Sequence, residues 1–455
     1  MHTNQRLAFA KLPHAAFAGT ILILICASTF LCAQQSNPVV AGPLTITLQD
    51  ALTRAQKNEP QYRAALTQYG VARENSVQGR AALLPNVSYS GSFLYTQGNG
   101  TPSARFIANN GVHEYLSEGD AHQAVSWQMV AEYRRARAQE ALAKAQAEIA
   151  TRGLVVTVTQ AYYGAIVAER KYSIAQRAAG EAQNFFDITQ KLERGGEVAH
   201  SDTIKAQLQF QQQQRGLQDA QLAMDRSRLD LAVLIFPNFN ENFTTVDDLE
   251  NLGPLPSYAE VETLAGKSNP QLRAALASMQ GANQEVAIAW NGFLPTLAFD
   301  YFYGIDANQF AVNGVDHTVF PPRPVRNLGY SAVATLNIPI WNWGASRSKV
   351  RSAELQRNQA KVELSFAQRK MAADLKDFFS EAQTSRSELE SLRQSSELAA
   401  ESLRLTTLRY QAGEATALEV VDSQNTLTQA QNALGDGQVR YRVAVASLQT
   451  LTGKF

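Results

Sequence analysis

One structural unit is written twice in this chain, and the two copies share a register over three landmarks. Thr47-Leu48-Gln49-Asp50 opens a helical run that passes Asn58-Glu59-Pro60-Gln61 and Arg63-Ala64-Ala65-Leu66 and stops at Leu83-Leu84-Pro85. Ser257-Tyr258-Ala259-Glu260, Ser268-Asn269-Pro270-Gln271, Arg273-Ala274-Ala275-Leu276 and Phe293-Leu294-Pro295 repeat that order at an offset of 210 residues. Each copy begins with Ser/Thr-x-x-Asp/Glu, in which hydroxyl and carboxylate satisfy backbone N–H groups left free at a helix start. A length of 455 residues alone suggests about three domains. The repeat argues for two equivalent halves instead.

After each Leu-Pro the period switches from helical to alternating. Val87, Tyr89, Phe93 and Tyr95 share one face of a strand, with Ser88, Ser90 and Ser92 opposite. In the second copy Leu297, Phe299, Tyr301 and Tyr303 oppose Thr296, Ala298 and Asp300. Long polar loops come next, at about 97–120 and 306–327, and both carry related wording around Asn110-Gly111-Val112-His113 and Asn313-Gly314-Val315-Asp316-His317. A return strand is expected after each. In the first, Val125, Trp127 and Met129 alternate with Ala124, Ser126 and Gln128; in the second, Tyr330, Ala332, Ala334, Leu336 and Ile338 form the apolar row.

Beyond the strands lie proline-free helical stretches, from about Ala131 to Glu193 and from about Ala345 to Tyr410. The second would reach roughly 100 Å at 1.5 Å per residue. Its seam steps by four and three through Met371, Leu375, Phe378, Ala382, Ser385, Leu389, Leu392, Ser396, Ala399 and Leu403, a coiled-coil pattern rich in small residues. Glycine turns at Gly195-Gly196 and Gly413 reverse the chain into helices at about 201–236 and 417–451. The predicted organisation is a first repeat at 34–236 (hairpin about 86–130, helical hairpin about 131–236), a linker at 237–256, and a second repeat at 257–455 (hairpin about 296–340, helical hairpin about 345–451).

The first 33 residues have the form of an export signal: Arg6 and Lys11, an apolar centre from about Ala15 to Leu31, then the small Ala33 before a polar segment. An anchor helix is the alternative; a lipoprotein box fits poorly because Ile25 and Leu31 precede the two cysteines. Cleavage after Ala33 removes both Cys26 and Cys32 and leaves 39 Lys+Arg against 41 Asp+Glu, a net of −2. Such a chain forms no disulfide and relies on packing and association. A full-length balance of 41 against 41, with no basic stretch, argues against a nucleic-acid binder. Beyond the N-terminus no apolar run approaches the ~18 residues of a membrane helix.

Strands of about 10 residues cross a bilayer when tilted. Four of them cannot close a barrel, and an open edge in hydrocarbon leaves backbone groups unpaired. Entry into a membrane therefore forces oligomerisation, and three chains would supply twelve strands. A soluble four-stranded sandwich is the competing arrangement, and it leaves the asymmetry between long loops at one end and helices at the other unexplained. Trp341 and Trp343 stand where an interfacial girdle is expected, although helix packing suits them as well. His113, His122, His200 and His317 lack paired ligand spacing, and no phosphate loop or nucleophile motif occurs, so no cofactor, metal or catalytic residue is expected.

Leu48-x-x-Ala51-Leu52…Pro60, the duplicated Leu-Pro strand entries, Ile338-Pro339-Ile340-Trp341 and above all Arg409-Tyr410-Gln411-Ala412-Gly413-Glu414-Ala415-Thr416-Ala417-Leu418-Glu419-Val420-Val421-Asp422 resemble the TolC-like outer-membrane efflux protein family over nearly the whole mature chain. The resemblance implies an α+β, mainly α fold, with long coiled-coil hairpins plus four transmembrane strands per chain. It implies a homotrimer with a shared 12-stranded barrel in outer-membrane lipid and a periplasmic α-helical tunnel. It further implies a passive exit duct served by a periplasmic adaptor and an inner-membrane pump in an efflux or type I secretion system. The adaptor would dock at the turns holding Gly195, Gly196 and Glu197 and holding Gly413 and Glu414. Glu419 and Asp422, one helix face apart by three residues, would ring the tunnel constriction; each alone suits a solvated helix face equally well. Ala415 departs from the family's basic residue after the turn glycine, and Val130-Ala131-Glu132-Tyr133 departs at the first strand–helix junction. A periplasmic coiled-coil adaptor or scaffold is the alternative function; it needs a compact β domain that the strand pattern does not supply.

Overall fold

The computed structural model describes residues 44–96, 113–238, 242–251, 253–316 and 319–453. The export signal and most of the first polar loop lie outside them. The chain divides into two units. In the small one, which holds Leu44 and Asn242–Thr244, the Leu44 N–H donates to Asn242 O. The large unit carries the helices and the four-stranded sheet.

The elements run β1 (Leu44–Ile46), α1 (Leu48–Asn58), α2 (Pro60–Ala81), β2 (Asn86–Tyr95), β3 (His113–Val125), α3 (Trp127–Arg194), α4 (His200–Ile235), β4 (Phe243–Thr245), α5 (Tyr258–Ser268), α6 (Pro270–Asn291), β5 (Thr296–Ala307), β6 (Asn313–Asp316), β7 (Arg323–Arg326), β8 (Leu328–Asn337), α7 (Ala345–Gln411) and α8 (Ala417–Thr452). The duplication is visible element by element. Helices α1 and α5 have 11 residues each, α2 and α6 have 22, and α4 and α8 have 36.

Local chemistry sets these boundaries. Thr47 with Asp50 and Ser257 with Glu260 form complete capping boxes. Pro60 and Pro270 end one helix and begin the next, because a proline tolerates the first turn but lacks the N–H an interior position needs. Glu59 accepts from the Tyr62 N–H and Asn269 from the Leu272 N–H, so one residue closes the first helix and caps the second. Where a return strand through Trp127 and Met129 is expected, the chain is already helical. Ser126 accepts from the Met129 N–H and starts α3 at Trp127, and the strand is the preceding His113–Val125.

All ten seam positions of α7 are buried or half-buried. Leu375 and Ala382 pack with Val261 and Ala265 of α5 and with Ala444, Leu448 and Leu451 of α8. At Gly437 a Cβ would lie 2.6 Å from Leu392 Cδ1, so glycine there permits the close approach of α7 and α8. Near the middle of α3 the Tyr162 Oη lies 3.0 Å from Ile46 O and 2.9 Å from Val246 O and accepts from the Val246 N–H at 3.1 Å. Burial pushes its pKa up to about 12, keeping it a neutral donor.

Strands β2, β3, β5 and β8 form one antiparallel sheet in that order, with β2 and β8 as open edges.

Candidate functional site: a two-faced sheet and two helical turns

The sheet register sorts its side chains by chemistry. Ser117 stands opposite Gly91, Tyr301 opposite Ala121, and Leu336 opposite Leu297, so most aromatic residues of the four strands share one face, while Leu94, Leu116, Phe302 and Val333 lie on the other. The shared face holds Val87, Tyr89, Phe93, Tyr95, Tyr115, Phe299, Tyr301, Tyr303 and Tyr330. Several are more than half exposed in the single chain, Val87 at 76% and Tyr330 at 75%. The opposite face holds Ser88, Ser90 and Ser92 of β2 against Asp120, Glu118 and Leu116 of β3. Asp300 and Asp306 of β5 lie on it too, Asp306 opposite Leu116 and Asp300 opposite His122. His122 Nδ1 is 2.5 Å from Asp300 Oδ1. With Glu114, this polar face carries five carboxylates, while no Lys or Arg occurs in any of the four strands.

All four tryptophans of the chain lie where strands meet helices. Trp127 opens α3 two residues after β3, Trp290 sits near the end of α6 before β5, and Trp341 and Trp343 come after β8. Each is at least 55% exposed, and Trp343 reaches 90%. Trp341 and Trp343 meet edge to face at 5.9 Å, and Trp290 lies 5.8 Å from Phe293. Trp343 has φ 55, in the left-handed region that non-glycine residues enter at a cost. The sequence pattern singles out only the last two. Trp127 is read there as part of an alternating return strand and Trp290 lies in a helical run; their placement beside the strand–helix junctions is the signal that would find them.

At the far end of the helices the two turns have one geometry. In the first, the Gly196 N–H donates to Glu193 O and the Glu197 N–H to Leu192 O; in the second, the Gly413 N–H donates to Tyr410 O and the Glu414 N–H to Arg409 O. Both are Schellman closures, and Gly196 and Gly413 each sit at φ 75, with open space around them. Gly195 is the C-cap of α3 and keeps ordinary right-handed geometry. Behind the turns, Phe185, Ala206, Leu403, Tyr410, Ala417 and Val420 form a shared core, and Leu192, Val198 and Ala415 pack on it. The Tyr410 ring stands 5.0 Å from Phe185 and its hydroxyl donates to Thr189 Oγ1. This core brings the two predicted turns together.

The turns differ in how the next helix starts. Thr416 and Glu419 form a capping box at the start of α8, and Arg409 Nη1 approaches Glu419 Oε2 at 3.7 Å while Arg409 Nη2 donates to Glu414 O. The hydrogen bonds from Thr416, backbone first and hydroxyl second, hold the Glu419 carboxyl below its ordinary range, with Arg409 adding to them. Asp422 is exposed on the same helix face, and its carboxylate takes no hydrogen-bond partner among the described residues. At the first turn Ala199 caps α4 without a side-chain bond, and His200 Nδ1 lies 2.7 Å from Glu193 Oε1 instead.

The chain matches the family described as outer membrane efflux protein over residues 51–235 and 263–454. It is 23% identical over 422 residues to the alkaline protease secretion protein AprF of Pseudomonas aeruginosa, covering 89% of this chain and 84% of that protein. It is also 23% identical over 419 residues to the outer membrane protein TolC of Escherichia coli, covering 89% and 82%. Among solved structures it resembles the Campylobacter jejuni CmeC outer membrane channel, with a TM-score of 0.74 at 16% identity over 89% of this chain and 85% of that one. The open state of the Neisseria gonorrhoeae MtrE outer membrane channel gives 0.73 at 19% identity over 89% and 88%.

Proposed function

The chain belongs to the outer membrane efflux protein family, and from that premise we propose that it is the outer-membrane exit duct of an efflux or type I secretion assembly, closed only as a homotrimer. One observation carries the trimer: β2 and β8 are ten-residue edge strands with no charge and no proline. Soluble proteins protect such edges with charged residues, prolines or bulges, because an unprotected edge pairs with another chain. In lipid the unpaired groups cost several kcal/mol each, so β8 of one copy must meet β2 of the next. Three copies give twelve strands, with the aromatic face toward lipid and the carboxylate face toward the lumen. Trp127, Trp290, Trp341 and Trp343 then mark the periplasmic interface of the outer membrane.

The helical hairpins continue the duct into the periplasm. The turns at Gly195, Gly196 and Glu197 and at Gly413 and Glu414 form the tip where a periplasmic adaptor docks, and the adaptor couples the duct to an inner-membrane pump. Glu419 and Asp422 ring the tip opening, with Glu419 partly offset by Arg409. Motion of substrate is driven by the pump. The test is membrane fractionation of the processed protein together with gel migration before and after heating. A heat-dissociable species in the outer-membrane fraction is expected; a soluble monomer in both assays refutes the duct.

A further inference from the structure

The loop that joins β5 to β8, at the end of the sheet away from the helices, is a built element. Strands β6 and β7 pair antiparallel, Asp316 opposite Arg323 and Asn313 opposite Arg326. Their base is clamped from both sides. The Asn327 side chain donates to Ala311 O and Gln309 O, and its N–H donates to Val312 O. Gln309 accepts from the Val315 N–H and donates to Val315 O. A Cβ at Gly314 would lie 2.6 Å from Asn327 Nδ2 and 2.8 Å from Gln309 Oε1, so glycine is required for this packing.

What the hairpin presents is apolar and cationic together. Phe320 is 99% exposed, beside Val319 and two prolines. Arg323 and Arg326 stand next in the chain, both exposed, and they are the only Lys or Arg among the described residues of 86–96, 113–125, 296–316 and 319–340. Asp316 reaches Arg323 only at 3.9 Å. The patch also continues the lipid-type face of the sheet: the Phe310 ring lies 5.9 Å from Tyr115, which lies 5.0 Å from Phe93. A water-facing loop has no use for a fully exposed phenylalanine on a clamped support, whereas an aromatic beside guanidinium groups suits the boundary between acyl chains and phosphate.

We infer that the β6–β7 hairpin is a headgroup anchor, in which Phe320 and Phe310 enter the outer-leaflet boundary and Arg323 and Arg326 hold the phosphate of an anionic lipid. This rests on reading the sheet as membrane-spanning. At this end of the sheet these two arginines are the cations among the described residues that can hold an anionic headgroup. One uncompensated cation at an anionic lipid surface is worth about fivefold in binding.

The experiment titrates the detergent-solubilised, full-length assembly with phosphatidylglycerol and with phosphatidylcholine and counts bound lipid by native mass spectrometry. The wild-type protein is expected to prefer phosphatidylglycerol by about fivefold or more. Arg323→Gln with Arg326→Gln should reduce that preference by about fivefold or more while the heat-dissociable assembly persists, and Phe320→Ser should weaken both lipids together. Equal affinity for the two lipids in the wild type, or an unchanged preference in the double variant, overturns the inference and leaves the duct standing. Failure of the wild type to form an assembly removes the duct and the anchor together.

Discussion

Replacing Asp422 by Asn tests the charge of the tip in a way that separates it from helix stability. The structure gives Asp422 no partner to lose, whereas Glu419 is held by Thr416 and faces Arg409 at 3.7 Å. Counted per chain, Glu419 and Arg409 offset one another, so the net charge of the ring comes from Asp422, three times over in a trimer. A unit charge about 8 Å from a passing ion, one Debye length at physiological salt, is worth about 0.5 kcal/mol in water and about 0.2 after screening. Three sum to about 0.6 kcal/mol of attraction for a cation and as much repulsion for an anion, a difference of about 1.2 kcal/mol and roughly a sevenfold preference for cations over anions. Asp422→Asn should lower the cation-to-anion permeability ratio by that factor, read as a reversal potential across a planar bilayer under a salt gradient. Arg409→Gln should move it the other way by a similar factor, because Glu419 is then uncovered. An unchanged ratio in Asp422→Asn, or a lowered one in Arg409→Gln, refutes this account of the ring.

The lumenal face makes a parallel case: Glu118→Gln with Asp306→Asn should reduce cation preference in the same assay while assembly on gels is unaffected. Tyr162→Phe removes the buried hydroxyl that lies against Ile46 O and Val246 O and should cost about 1–3 kcal/mol, measured by thermal unfolding monitored by circular dichroism. The third-position carboxylates of the capping boxes, Asp50, Glu260 and Glu419, are each held below their ordinary range, chiefly by hydrogen bonds from Thr47, Ser257 and Thr416. A depressed folded pKa contributes stability above the unfolded value that is lost as pH falls through the folded one. Unfolding temperature should therefore hold near neutrality and decline below about pH 4.5, and Glu260→Gln should flatten part of that decline.

The elements most legible in the sequence are those with a local chemical cause. Capping boxes, the two internal prolines and the small-residue seam of α7 each act over a few residues, and the helices begin, break and pack where those residues stand. Strand β3 escapes for the same reason in reverse. Val125, Trp127 and Met129 alternate in apolar character, yet Ser126 caps a helix there. The true strand hides because its outward row runs through Ser117, Gly119 and Ala121, too small to register as apolar, while its other row is acidic. The β6–β7 hairpin is hidden by Pro324, which argues against a strand except at an edge. At the tip, Glu419 and Asp422 can be found by spacing, but the cation offsetting Glu419 cannot, because Arg409 meets it only across the turn.

A duplicated chain distinguishes what the fold requires from what one position in the assembly requires. Both turns keep the same Schellman closure around a left-handed glycine, so that closure belongs to reversing a long helical hairpin. The starts of the returning helices have diverged. Helix α8 begins with a capping box whose carboxylate also faces Arg409, while α4 begins at Ala199 with no side-chain cap and relies on the His200–Glu193 pair. An uncapped start leaves backbone donors at the positive end of the helix, and a capped one covers them with charge. The trimer tip would thus alternate three turns of each kind, identical in backbone and different in how the helix start is capped. An adaptor would meet an uncapped start beside His200 and Asp202 at one kind and a capped start beside Arg409 at the other. Equivalent docking at all six turns would therefore need a partner surface that accommodates both kinds of helix start.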